Sequence, residues 1–128
     1  NITQKLLQYI NDNITGELTA QKVAKELGIS PYYLSHIFSS QLNISFPSYV
    51  AQQRMIMACN LLKDSRKTVT EISYECGFPN MRTFHRCFQK RYECTPTQWR
   101  ERSHKGTDEK IRHQLWNQEK VESENSLE

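Results

Sequence analysis

The sequence is poor in glycine and proline, with four of each in 128 residues. That is too few for collagen, a proline-rich linker or a turn-dense β-sandwich. No uninterrupted apolar run approaches the roughly 18 residues that a membrane span requires, so no membrane segment is expected. No basic–apolar–small stretch opens the chain, and nothing argues for secretion. The four cysteines, Cys59, Cys76, Cys87 and Cys94, include no pair two or three residues apart. The string Cys76-x8-His85-x-Cys87-x6-Cys94 therefore lacks zinc-ligand spacing, and no metal is expected. Thiols without a staple pattern fit a reducing cytosol, which makes the cytoplasm the expected location. There is also no glycine-rich phosphate loop, no HExxH and no placeable Ser/His/Asp set. No catalytic residue and no cofactor is expected, and the chain does not read as an enzyme.

What is present is a thin apolar complement and an uneven charge. Residues AVILMFWYC make up 37%, which with glycine is about 40%, below the usual 45–50% of soluble domains. Residues 1–50 are neutral, residues 51–107 hold eleven basic against five acidic groups (net +6), and residues 108–128 are net −3. A local basic excess points to a polyanion partner, although an ordinary solvated face looks the same by charge alone. The chain starts at Asn1 without an initiator methionine, so it reads as a fragment of a longer protein, and Leu127-Glu128 reads as a cloning scar.

Apolar spacing is helical throughout, and no stretch alternates as a strand does. Leu6, Leu7, Ile10 and Ile14 mark a first helix of about 3–13. Thr19 precedes a second carrying Val23, Ala24 and Leu27, stopped by Gly28. Ser30-Pro31 starts a third, with Leu34, Ile37, Phe38 and Leu42 buried and Asn43 at its end. Ser45 caps a long helix of about 46–63 whose apolar face is read as Val50, Met57, Ala58, Leu61 and Leu62. A short helix with Ile72 inward ends at Gly77, Asn80 caps the helix of Phe84, Cys87, Phe88 and Tyr92, and Thr95-Pro96 starts a last one bearing Trp99.

An internal repeat organises these elements. At an offset of 49, residues 19–29 lie over residues 68–78; at 50, Leu34, Phe38, Phe46 and Tyr49 lie over Phe84, Phe88, Pro96 and Trp99. Each copy is a short helix, a glycine turn and a longer helix, the helix-turn-helix arrangement. The expected fold is all-α: a first helix-turn-helix unit over 1–45, a central linker helix over 46–63 and a second unit over 64–103. An acidic tail, helical or disordered, follows over 104–128.

In such a unit the second helix lies in the major groove with its early exposed residues at the base edges. Removing the buried stripe leaves Tyr32, Tyr33, Ser35, His36 and Ser39 in the first unit. In the second it leaves Met81, Arg82, His85, Arg86 and Gln89, with Lys90 beyond. Arg82, Arg86 and Lys90 stand at i, i+4 and i+8 and share one face. Arginine offers a bidentate fork to guanine O6 and N7, and glutamine suits adenine. Phe84, Phe88 and Trp99 are expected in the core.

Certain motifs carry a family resemblance. Gly77-Phe78, Phe84-x-Arg86-x-Phe88-x-Lys90 and Pro96-x-x-Trp99-Arg100 resemble the signature of the AraC/XylS transcription regulators. Tyr33-Leu34-Ser35-x-x-Phe38 and Ser45-Phe46-x-x-Tyr49 resemble that family's first unit. The resemblance covers about residues 3–102. It implies about seven helices, two units bridged by the central helix, and adjacent major-groove segments of double-stranded promoter DNA as the target. It implies base-contacting positions at Tyr32, Ser35, His36, Met81, Arg82, Thr83 and Arg86. RNA polymerase and an N-terminal sensory or dimerisation domain are the other expected partners. Two departures stand where the family has glycine, Asn43 and Glu93, and the end of the helix before Glu93 is expected to differ because glutamate disfavours positive φ. The rivals are a repair-type protein with an alkyl-accepting cysteine, for which Cys87 beside Arg86 is the candidate, and a helical protein-interaction module.

Overall fold

The protein is described by a computed structural model over residues 1–104, so the tail expected after His104 lies outside the described residues. Among the described residues there are seven helices and no strand, counting one helix together with its π-turn. They are α1 (Ile2–Asp12), α2 (Ala20–Leu27), α3 (Pro31–Ile37, continued by a π-turn over Phe38–Leu42), α4 (Phe46–Asp64), α5 (Val69–Glu75), α6 (Met81–Tyr92) and α7 (96–104).

The helix starts follow from side-chain oxygens that satisfy otherwise unpaired amides. Thr19 accepts from the Lys22 amide at 3.1 Å, and Ser30 from Tyr33 at 3.0 Å. Ser45 accepts from Ser48 at 3.2 Å, Thr68 from Glu71 at 3.1 Å, and Asn80 from Thr83 at 2.8 Å. At α7 the bonds are reciprocal: the Gln98 amide donates to Thr95 Oγ1 at 3.1 Å and the Thr95 amide to Gln98 Oε1 at 3.0 Å, a capping box. The repeat is therefore a repeat of caps.

The end of α6 does not differ as expected. Glu93 adopts φ 58°, close to the φ 52° of Asn43 at the matching position. Its amide bonds the Gln89 carbonyl at 2.9 Å, and the next residue, Cys94, is buried and draws the chain inward. That anchoring outweighs the left-handed conformation, which costs about 1–2 kcal/mol for a residue with a Cβ.

Two cores form, one on each side of α4. The first gathers Leu6, Ile10, Val23, Leu34, Ile37 and Phe38; the second gathers Ile72, Cys76, Phe78, Phe84, Phe88 and Cys94. Helix α4 gives Phe46 and Val50 to the first and Met55, Ala58 and Leu62 to the second. At about 100° per residue, the mean directions of those two sets differ by roughly 130° around the helix axis. This corrects the single stripe read from sequence. Met55 is the buried methionine, while Met57 and Leu61 are half-buried at the margin of the second core.

The far end of α4 is closed by α7. Arg100 Nε donates to the Leu62 carbonyl at 2.9 Å, and His104 Nε2 lies 3.0 Å from that of Lys63. Positive or donating side chains belong at a helix C-terminus, where carbonyls lack partners.

Candidate nucleic-acid interface

Helices α3 and α6 occupy the same position in their units. On α3, Tyr32, Tyr33, Ser35 and His36 are all exposed, and Ser39 is exposed on the π-turn. Tyr32 keeps 83% of its surface in solvent, which is unusual for a large aromatic and leaves its ring free for a partner. On α6, Arg82, His85, Arg86, Gln89 and Lys90 are exposed, whereas Met81 and Thr83 are half-buried. The two half-buried residues stand in the first turn, close to the Asn80 cap.

The π-turn was not visible in the sequence. Ser39 and Ser40 hydroxyls both donate to the His36 carbonyl, at 3.2 and 2.7 Å, competing with the helix's own amide donors. Such turns widen a helix locally, and this one ends α3 with its serines outward.

The second helices of both units border one open groove of about 1070 Å³. Tyr32, Ser35, His36 and Ser39 line it from α3, Thr83 and Cys87 from α6, and Phe46, Pro47, Val50, Ala51 and Arg54 from α4. The α6 residues Met81, Arg82, His85, Arg86, Gln89 and Lys90, and Tyr33 of α3, are not among its lining. Sequence reasoning missed Gln21 and the first turns of α2 and α4, which also border the groove. Arg54 stands at its wall too, but its guanidinium is bonded to the Ile14 and Gly16 carbonyls and is not offered to a ligand. Helix N-termini carry free amides suited to phosphate oxygens, but only the folded chain shows which N-termini face the same way.

The charge is one-sided. Between Gly77 and Tyr92 the chain has no acidic residue and four basic ones, Arg82, Arg86, Lys90 and Arg91. Among the described residues the ion pair found is Lys67–Glu75, on another element. Arg91 lies 5.8 Å from the Tyr92 ring centroid, a cation–π contact. The arginine row therefore faces solvent without carboxylates. The α3 face carries no lysine, arginine, aspartate or glutamate.

The cysteines belong to the packing. Cys76 and Cys94 are buried, and burial pushes the Cys76 thiol up to about 11. Cys59 is half-buried and raised for the same reason. Both are protonated thiols at neutral pH, the opposite of the thiolate that nucleophilic cysteine chemistry uses. Cys87 is half-buried on α6.

Two helix-turn-helix units with outward second helices, one of them bare and basic, define a helix-turn-helix DNA-binding domain. A helix-turn-helix domain model matches residues 23–102. The chain is 35% identical over 107 residues to the transcriptional regulator YijO of Escherichia coli, covering 84% of this chain and 38% of YijO. It is 29% identical to the regulatory protein SoxS of Salmonella typhimurium, covering 79% of this chain and 94% of SoxS. Among solved structures, the C-terminal domain of the response regulator AraT from Geobacillus stearothermophilus superposes with a TM-score of 0.75. That match is at 32% identity and covers 78% of this chain and 84% of the other. The chain belongs to the AraC-type helix-turn-helix family of transcription regulators. No described helix is long and apolar enough to cross a membrane.

Proposed function

We propose that the chain reads promoter DNA with both units at once, α3 and α6 entering adjacent major-groove segments on one face of the duplex. The observation that carries this is the pairing of two exposed second helices across one groove, with an arginine row free of carboxylates on the second. Residues 1–45 and 64–103 act as the two reading units, held by α4. Tyr32, Tyr33, Ser35, His36 and Ser39 serve the first; Met81, Arg82, Thr83, His85, Arg86, Gln89 and Lys90 serve the second. Arg86 reads guanine and Lys90 holds phosphate. The chain acts in the cytoplasm by binding rather than catalysis, alters access of RNA polymerase to the promoter, and is governed by an N-terminal sensory or dimerisation domain.

Two measurements test this reading. Arg86→Ala is expected to cost about 1–3 kcal/mol on the preferred site, the usual worth of a bidentate base contact, and much less on random DNA. Equal losses on both would make Arg86 a phosphate contact. Each neutralised phosphate contributes a slope of about −0.9 to log K against log salt. Lys90→Ala or Arg91→Ala is therefore expected to flatten the slope by up to about one. An unchanged slope for both variants contradicts the phosphate assignment.

A further inference from the structure

Arg54 stands on α4 between Val50, the last residue given to the first core, and Met55, the first given to the second. Its guanidinium is half-buried and, among the described residues, bonds backbone carbonyls and no carboxylate. Nε donates to the Ile14 carbonyl at 2.9 Å and Nη2 to the Gly16 carbonyl at 2.6 Å. Those carbonyls belong to the turn between α1 and α2, which lies in the first unit. Burial lowers the arginine's pKa from its ordinary value, a cost tolerated because two carbonyls replace water.

Against the same guanidinium and the Ile14 carbonyl lies Gly77, in the turn of the second unit. A Cβ at Gly77 would stand 2.8 Å from the Ile14 carbonyl oxygen and 3.0 Å from Arg54 Nε. Gly77 also has φ +84°, a region that side chains rarely adopt. Bare backbone here lets the second unit's turn reach the first unit's turn, with Arg54 lodged against both. The contact lies at the level where the buried face of α4 changes direction.

A helix resists stretching, but it leaves the angle between bodies packed at its two ends to the grip of each body on its own face. A direct contact off the helix axis removes that freedom. We propose that Arg54 is a positioning residue that joins the Ile14–Gly16 turn to the Gly77 turn and fixes the angle between the two recognition helices. The preference for one phase between half-elements then resides in this joint as well as in α4. The proposal rests on the two-unit reading given above.

The test compares wild type, Arg54→Lys and Arg54→Met on a selected two-element DNA, on each element alone, and on the two-element DNA with one base pair added or removed. Linking two binding modules at a matched span multiplies affinity by on the order of 10²–10⁴. Arg54→Met is expected to lose about tenfold or more of that advantage, to tolerate the one-base-pair changes better than wild type, and to hold single elements within about twofold. Arg54→Lys, which keeps the charge and one donor group, is expected to fall between. Equal losses on single and paired elements would make Arg54 a DNA contact or a general stability residue and overturn the proposal. So would a folded Arg54→Met that keeps the wild-type advantage and spacing penalty. A wild type indifferent to spacing would overturn the two-unit reading itself, and the joint with it. Should Arg54→Met fail to fold, residual dipolar couplings on DNA-free wild type decide: one common alignment tensor for both units is expected, and two distinct tensors overturn the proposal.

Discussion

Phe88→Ala is expected to lower stability by about 3–5 kcal/mol, the range for truncating a buried aromatic. Phe88 is fully buried on α6 and is the hub of the second core. Its ring lies 5.8 Å from Phe84, 4.8 Å from Tyr92 and 6.3 Å from Trp99, the last edge-on at 83°. Removing it leaves three aromatic rings around a cavity. Small domains hold about 5–15 kcal/mol in total, and each kcal/mol corresponds to about 4–8 °C of Tm at this size. A fall of at least about 12 °C, or no folded protein, is the expected melt. Trp99→Ala is expected to cost less than Phe88→Ala, since Trp99 is half-buried. Near-wild-type melting with lost DNA binding would instead place these rings at the interface.

Inserting about five base pairs between the two half-elements of a selected site is expected to reduce binding to that of a single unit. Helix α4 has 19 residues, about 28 Å at 1.5 Å per residue. Successive major grooves on one face are about 34–36 Å apart. Helix length plus the cores at each end brings the recognition helices within that range, with some DNA bending to close the difference. Five base pairs turn one half-element to the opposite face, beyond the reach of a joined pair of units. The loss is expected to be on the order of 10²–10⁴, the usual gain from linkage. Adding a full turn is not expected to restore affinity, because α4 does not lengthen. Unchanged affinity after either insertion would mean that one unit reads DNA alone, and the neutral first unit would be the one to set aside.

Much of the architecture was legible because the features that define it are local. Ser30-Pro31, Ser45, Asn80 and Thr95 mark helix starts by chemistry that operates within three residues, and the recurrence of residues 19–29 at 68–78 exposed the duplication. The outward faces of α3 and α6 were legible by subtracting the buried stripe, and the exposed residues there match the subtraction save for the half-buried Met81; Thr83, which only the family resemblance added, is half-buried too. Long-range geometry was not legible. The two faces of α4 merge into one smeared stripe in a linear reading, which is why Met57 stood in for Met55. Glu93 looked unsuited to its cap because local preference was all that could be weighed, whereas the burial of Cys94 decides it. The Arg54 joint had no signature at all: its acceptors are backbone carbonyls, which every residue carries, 38 and 40 positions away.

Selection of bound sequences from a random duplex pool tests the two-unit reading most directly. Enriched sequences are expected to share two elements spaced by about 10–10.5 base pairs centre to centre, with guanine in the element lost by Arg86→Ala. A single conserved element, or a pool that never enriches while salt-sensitive binding persists, would contradict it.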